Sequence, residues 1–317
     1  MVAVSMRVLV AGAAGFLGSN LCDELLRNGA TVLGVDDFSS GATENLSSAL
    51  KHSNFDFQEL DIVAIHEDSL SDRTFDVIFN LASIASPALY MKNELHTLKS
   101  GSIGTLNLLQ LAKRNGARFV MASTSEIYGD PQVHPQHEEY FGHVNPIGDR
   151  ACYDESKRFS EALCRTFRQT YNVNVGIMRI FNTYGPRMHP GDGRVVSNIL
   201  SAALSGTTFR VNGTGEQTRS FCYVDDLINA MIRFATVTAF GPVNLGNPNE
   251  ISILELVHIV ENVTGKRVNI EFAPGLSDDP TRRRPDISRA FNLLNWEPEI
   301  SLEDGLLRTF NWLSTFN

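Results

Sequence analysis

Tyr153 and Lys157 stand four residues apart in Tyr153-Asp154-Glu155-Ser156-Lys157, and the run Ser123-Thr124-Ser125-Glu126 lies upstream of them. On a helix this spacing places the phenol and the ammonium on one face. An ammonium beside a phenol favours phenolate, so Lys157 is expected to lower Tyr153 from its ordinary pKa of about 10. A phenolate can take the proton of an alcohol, and Thr124 offers that alcohol a second hydrogen bond. Alone, such a pair is most often a surface Tyr and Lys. It gains meaning from a glycine-rich turn at the head of the chain.

That turn, Gly12-Ala13-Ala14-Gly15-Phe16-Leu17-Gly18, follows an apolar run at 7–11 and opens a helical pattern at 16–26. Gly12 permits the tight turn, Gly15 lets the backbone approach a pyrophosphate, and Gly18 lets helix pack on strand. The helix start, with Phe16 and Leu17, supplies unpaired amides and a partial positive charge for phosphates. Asp36 follows the next apolar run, where a carboxylate accepts from both adenosine ribose hydroxyls. A 2′-phosphate would meet like charge there with no neighbouring arginine, so NAD is favoured over NADP. Asp61 and Ile62 follow an expected third strand. Asp61 is either in reach of the adenine amino group or an ordinary strand-end carboxylate. Leu81 and Ala82 end a fourth strand beside the expected nicotinamide ribose, where small residues leave room. With a hydride acceptor in place, Tyr153 becomes the base of an alcohol oxidation and, with Lys157, a cofactor contact.

Apolar runs at 7–11, 31–35, 75–81, 118–122 and 175–181 read as strands, and helical spacing covers 16–26, 95–115 and 154–171. Asn28-Gly29 and Gly116 stop the first two helices. The alternation implies a parallel sheet covered on both faces. The fold class is α/β: a Rossmann-type doubly wound sheet with a smaller C-terminal α/β domain. Past Asn182, Pro186, Pro190, Gly191 and Gly193 mark irregular chain. Helices at 195–204, 224–236 and 250–265, strands at 242–245 and 268–272, and a helical tail from Ile287 follow. Residues 1–182 are expected to form the dinucleotide-binding domain, with 221–246 returning to it, and 183–317 mainly the substrate domain.

The 317 residues, 43% hydrophobic, suit a globular enzyme of that size. Lys and Arg total 27 against 36 Asp and Glu, a net charge of −9, which disfavours nucleic acid as a partner. A phosphorylated ligand must then be held by a few placed arginines. Cys22, Cys152, Cys164 and Cys222 have no CxxC or metal spacing and read as free thiols, so no metal is expected. No stretch approaches the ~20 apolar residues of a membrane span, and the first residues show no leader pattern, so a cytoplasmic protein is expected.

The order Gly12-x-x-Gly15-x-x-Gly18, Ser123-Thr124-Ser125, Tyr153-x-x-x-Lys157 resembles that of the extended short-chain dehydrogenase/reductases acting on nucleotide sugars, across essentially the whole chain. Within that group, segments 123–135, 145–148, 151–155, 179–188, 192–198, 217–224 and 283–287 look like UDP-glucuronate decarboxylases. The resemblance implies oxidation of the 4-hydroxyl of UDP-glucuronate and loss of carbon dioxide from the resulting β-keto acid. Protonation and return of hydride then give UDP-xylose, with NAD regenerated. Tyr153 serves as base and then acid, Thr124 orients the hydroxyl, and Glu126 steers the sugar carboxylate or orders a water. Ser125 stands where dTDP-glucose 4,6-dehydratases carry a proton-donating Asp. A serine hydroxyl is too weak an acid for that role, so dehydration is disfavoured. Glu126 is usually missing from the epimerases of the group.

By the same resemblance, Arg219 binds the diphosphate, Asn182 grips the substrate, and Arg283 lies near the reacting sugar. Arg187, Arg194 and Val195 bracket the nucleotide. Pro87 and Tyr90 match a Pro-x-x-Tyr that touches the substrate. One departure is Ala82-Ser83-Ile84-Ala85-Ser86-Pro87, where decarboxylases usually show Ala-Cys-Pro-Ala-Ser-Pro. A homodimer through helix faces around 95–116 and 151–171 is also implied. A UDP-glucuronate 4-epimerase or related nucleotide-sugar enzyme, and a catalytically retired NAD-binding regulator, remain as competing readings. Intact Thr124, Glu126, Tyr153 and Lys157 argue against the regulator.

Overall fold

A computed structural model describes residues 6–66, 69–274 and 282–316. Residues 1–5, part of the segment read above as lacking a leader, lie outside the described residues. The first half runs β1 (Arg7–Ala11), α1 (Phe16–Arg27), β2 (Thr31–Asp36), β3 (Phe55–Glu59), β4 (Val77–Asn80), α2 (Pro87–Tyr90), α3 (Glu94–Lys99), α4 (Thr105–Asn115), β5 (Arg118–Thr124), α5 (Ala151–Tyr171) and β6 (Val175–Ile180). The second half runs β7 (Thr183–Tyr184), α6 (Val195–Ser205), β8 (Thr208–Asn212), β9 (Thr218–Ser220), β10 (Cys222–Tyr223), α7 (Val224–Thr236), β11 (Val243–Leu245), β12 (Glu250–Ser252), α8 (Ile253–Thr264), β13 (Asn269–Ala273), β14 (Arg282–Arg283), α9 (Ser288–Leu294) and α10 (Leu302–Leu313).

Seven strands form one parallel sheet in the order β11-β6-β5-β4-β1-β2-β3. Its two faces feed two cores, as the period-2 geometry of strands requires. On β1, Val8 and Val10 join the core containing Leu21 of α1 and Leu227 of α7, whereas Leu9 and Ala11 join the one containing Leu108 of α4 and Phe167 of α5. Buried on both sides, β5 is closed to solvent along its whole length. The order reverses between β1 and β4, so a crevice opens at the carboxyl ends of these strands, the usual ligand position in such sheets.

Several sequence expectations change in detail. The helix expected over 95–115 is broken by a π-helical turn, Ser100–Gly104, between α3 and α4. Gly101 there lies against α5; a Cβ on it would approach the Ser156 Cβ to 2.6 Å. The helix expected over 250–265 yields its first residues to β12, which pairs antiparallel with β9; α8 then starts at a capping box between Ser252 and Glu255. β14 lies on the other side of β9, and β13 pairs in parallel with β8. β9 and β14 are too short to show an apolar pattern, whereas β8 alternates, with Phe209 and Val211 buried. All four cysteines are buried and unpaired. No helix among the described residues is long and apolar enough to cross a membrane.

Candidate active site

The glycine turn is a close-packed cradle. Gly12 has φ +84°, and a Cβ on it would come within 2.8 Å of the Leu81–Ala82 backbone. A Cβ on Gly18 would lie 1.9 Å from the Gly12 carbonyl oxygen, whereas Gly15 is looser, at 3.3 Å. Asp36 secures the cradle from β2. Its Oδ2 accepts from Ala14 N at 2.9 Å and its Oδ1 from Phe38 N at 2.8 Å. Burial pushes the Asp36 pKa up, opposed by those amides. No side chain caps α1 at Gly15, which leaves its first-turn amides for a phosphate.

The adjoining crevice is lined by Gly12, Gly15, Asp36, Asp61, Ile62, Leu81 and Ala82. Phe16 and Leu17 open α1 and are half-buried. Asp61 lies two residues past the end of β3; its Oδ1 accepts from Val63 N at 2.8 Å and caps the turn Ile62–Ala64. His96 pairs with Asp37 at 3.1 Å at the crevice wall, close to Asp61. The buried Ser83 Oγ, at the same wall, has no partner. The orphaned hydroxyl, the cradle and the uncapped helix fit a dinucleotide.

Tyr153 lies in the first turn of α5, and its ring stacks on Tyr90, with centroids 5.1 Å apart and an interplanar angle of 2°. It shares a side-chain hydrogen bond with Thr124, yet burial pushes its pKa up to about 12. This corrects the expectation that Lys157 lowers it. The Lys157 ammonium donates to Ala122 O at 2.9 Å and lies 5.9 Å from the Tyr153 ring centroid. Burial alone lowers Lys157 to about 8. The lysine is committed to the strand rather than to the phenol oxygen. The Tyr90 hydroxyl is buried without a partner.

Glu126 is bound by arginines rather than by backbone. Arg283 forks onto it, Nη1 to Oε1 at 2.6 Å and Nη2 to Oε2 at 2.8 Å, and Arg150 Nη2 reaches Oε2 at 2.7 Å. Burial alone would raise its pKa, but Arg283, Arg150 and Arg219 together hold it below the ordinary value. Asp154, next to the base, is pushed up to about 7 by burial and by Glu126. Arg150 is a site residue that the sequence reading missed. Its signal was its place three residues before Tyr153 on the same helix face. Ser125 is buried at the start of the turn that follows β5.

The expected substrate residues divide. Arg219 is buried in register with Arg283 across β9 and β14, and Asn182 Oδ1 accepts from Arg283 at 3.4 Å. Arg194 pairs with Asp192, lies 6.0 Å from the Phe16 ring centroid, and is among the charges acting on Tyr153. Val195 opens α6 and Pro87 opens α2. The Ser86 hydroxyl ties α2 to the Arg194 loop by donating to Asp192 O at 2.6 Å. Arg187 turns away from the cluster and pairs with Asp23 of α1.

Residues 8–246 match the model of the NAD dependent epimerase/dehydratase family. The chain belongs to that family. NAD is therefore its cofactor, in line with the cradle. The chain is 49% identical over 308 residues to UDP-glucuronic acid decarboxylase 1 of Danio rerio, covering 97% of this chain and 72% of that protein. It is 45% identical over 303 residues to UDP-glucuronic acid decarboxylase 3 of Arabidopsis thaliana, covering 95% and 87%. Among solved structures it resembles the UDP-glucose 4-epimerase of Thermotoga maritima with UDP-glucose, with a TM-score of 0.91 and 30% identity over 98% of this chain and 99% of that one. The UDP-glucuronic acid 4-epimerase of Bacillus cereus, in complex with UDP-glucuronic acid and NAD, aligns with a TM-score of 0.88 and 29% identity over 98% and 100%.

Proposed function

We propose that the chain is a UDP-glucuronate decarboxylase forming UDP-xylose through a UDP-4-keto intermediate. One observation carries the reading: a largely buried cluster, Arg283 and Arg150 on Glu126, adjoins the hydroxyl-binding pair Tyr153 and Thr124. A sugar bearing a carboxylate next to an oxidisable hydroxyl suits both halves. The decarboxylase relatives support the same substrate.

NAD, when bound in the cradle of Gly12, Gly15 and Asp36, would supply the hydride acceptor and then donor for the sugar's 4-position, and a positive charge that favours phenolate. Tyr153 takes the 4-hydroxyl proton while Thr124 orients that hydroxyl. The bond from C5 to the carboxyl carbon then breaks. Its electron pair passes into the neighbouring carbonyl, and Arg283 stabilises the anion formed. A proton from solvent takes the place of the lost carboxyl group at C5, and Tyr153 gives back the proton at the 4-oxygen. Ser125 has no acidity to drive dehydration. Glu126, held ionised, serves as a fixed anion that orients Arg283.

We assign Gly12, Gly15, Phe16, Leu17, Gly18, Asp36, Asp61, Ile62, Leu81, Ala82, Tyr153 and Lys157 to the cofactor. Pro87, Tyr90, Asn182, Arg194, Val195, Arg219 and Arg283 belong to the UDP-sugar. Arg187 acts at a distance by bracing its loop on α1. Residues 1–182 with 221–246 form the NAD domain and 183–317 mainly the sugar-nucleotide domain, a reading that the pairing of β11 with β6 supports. Free buried thiols support a cytoplasmic protein, and exposed apolar side chains on α3 and α5 support a homodimer. Incubation with UDP-glucuronate and NAD, followed by NMR, should give carbon dioxide and UDP-xylose. UDP-galacturonate without carbon dioxide would make the enzyme a 4-epimerase instead.

A further inference from the structure

The three members of the ionic cluster come from different parts of the molecule. Glu126 lies in the turn after β5, Arg150 caps the start of α5, and Arg283 belongs to β14 on the substrate side. Their side chains keep only 12%, 16% and 9% exposure respectively. A carboxylate this dry cannot lose its only cation, because an unpaired buried charge is strongly disfavoured. Arg283 alone would therefore be bound permanently to Glu126. Arg150 removes that constraint by holding Oε2 from the base helix, at 2.7 Å. Two guanidinium groups thus share the one Glu126 carboxylate, and Arg219, in register with Arg283, adds to the positive field on it. A polar atom awaits a ligand beside it: the buried Tyr90 hydroxyl has no partner, and its ring is stacked on the base within the field of Arg150.

We propose that Arg150 is a positioning residue for the sugar carboxylate, holding Glu126 so that Arg283 is shared between Glu126 and the substrate. Selectivity for an acidic over a neutral sugar then depends on a residue that belongs to the base helix. This rests on the UDP-glucuronate reading above.

The test uses the full chain loaded with NAD, in a Tyr153→Phe background whose slowed turnover lets binding be read. Calorimetric titrations compare UDP-glucuronate with UDP-glucose, which has the same nucleotide and no carboxylate. Arg150→Ala should lose tenfold or more in affinity for UDP-glucuronate and stay within twofold for UDP-glucose. Arg150→Lys should recover part of the loss. Adding Glu126→Gln to Arg150→Ala should also recover it, because Glu126 no longer claims Arg283. A merely structural role predicts equal losses for both ligands and no rescue by Glu126→Gln; either result overturns the proposal. Should Arg150→Ala fail to bind NAD, Arg150→Gln carries the same comparison. A Tyr153→Phe parent that shows no preference for UDP-glucuronate, together with a wild type that releases no carbon dioxide, defeats the substrate reading itself. A wild type that does release it, with Arg150→Ala unselectively impaired, defeats only the role of Arg150.

Discussion

Tyr153 is held as a neutral phenol until ligands arrive. Burial raises it to about 12, Thr124 offsets part of that, and Lys157 faces a strand carbonyl. The base is thus armed by what binds beside it, which limits idle proton transfer in the unliganded site. Tyr153→Phe should still bind NAD while its turnover falls by about 10²–10⁴; fluorescence titration and product NMR read the two effects separately. Asp154 makes a stability prediction with a definite sign. Its folded pKa, about 7, lies above the ordinary 3.8, so the folded chain holds an extra proton between those values. Stability from this group is present below pH 4 and is lost as pH rises through 7. Asp154→Asn removes the buried charge. It should melt higher than the parent at pH 8, by a margin worth about 1–3 kcal/mol, and together with it at pH 4. Parallel melts at both pH values would refute the assignment.

At the scale of elements, the site depends on close approaches that only small residues allow. Gly18→Ala would force a Cβ to 1.9 Å from the Gly12 carbonyl and push α1 off β1. The variant should lose NAD binding and about 2 kcal/mol or more of stability, measured by titration and urea melts. Gly101→Ala should instead strain the π-helical turn against Ser156, at a cost of about 1–3 kcal/mol, and leave the pyrophosphate cradle intact. These elements were not equally legible in the sequence. β1, α1, β2 and β5 could be read because each carries its own apolar period and its own stop signal. The π-helical turn could not, since Ser100 to Gly104 look helical until α5 packs on them. β14 is two residues long and exists only by pairing with β9, so the burial of Arg283 had no local signature. The glycine turn and the Tyr153–Lys157 pair could be listed from their spacing, and Arg219, Asn182 and Arg283 only from the family resemblance. Which cation meets which anion could not, because Glu126 and Arg283 are far apart in the chain and meet only in the fold.

For the whole molecule, the layer of α3, α4 and α5 has two unlike faces. The inner face of this layer carries Tyr153 and Lys157 and is buried. The outer face leaves Leu95 at 64% and Phe159 at 51% exposure, with Leu98, Ile103 and Tyr171 also exposed. Scattered apolar side chains are ordinary on a surface, but these lie on helices packed side by side. A two-fold axis would set this patch against its own copy, and a stable dimer buries about 1,600 Å² in total. The combined substitution Leu95→Glu and Phe159→Glu places like charges at the centre of that contact and should shift the mass in solution from twice 35.0 kDa to 35.0 kDa. Sedimentation equilibrium decides it. Because neither residue lines the cofactor crevice, the separated chain should still bind NAD. A variant that stays dimeric would move the interface elsewhere. One that separates but loses turnover while keeping NAD would show that pairing through α5 holds the first turn of that helix, and with it Tyr153, in working position.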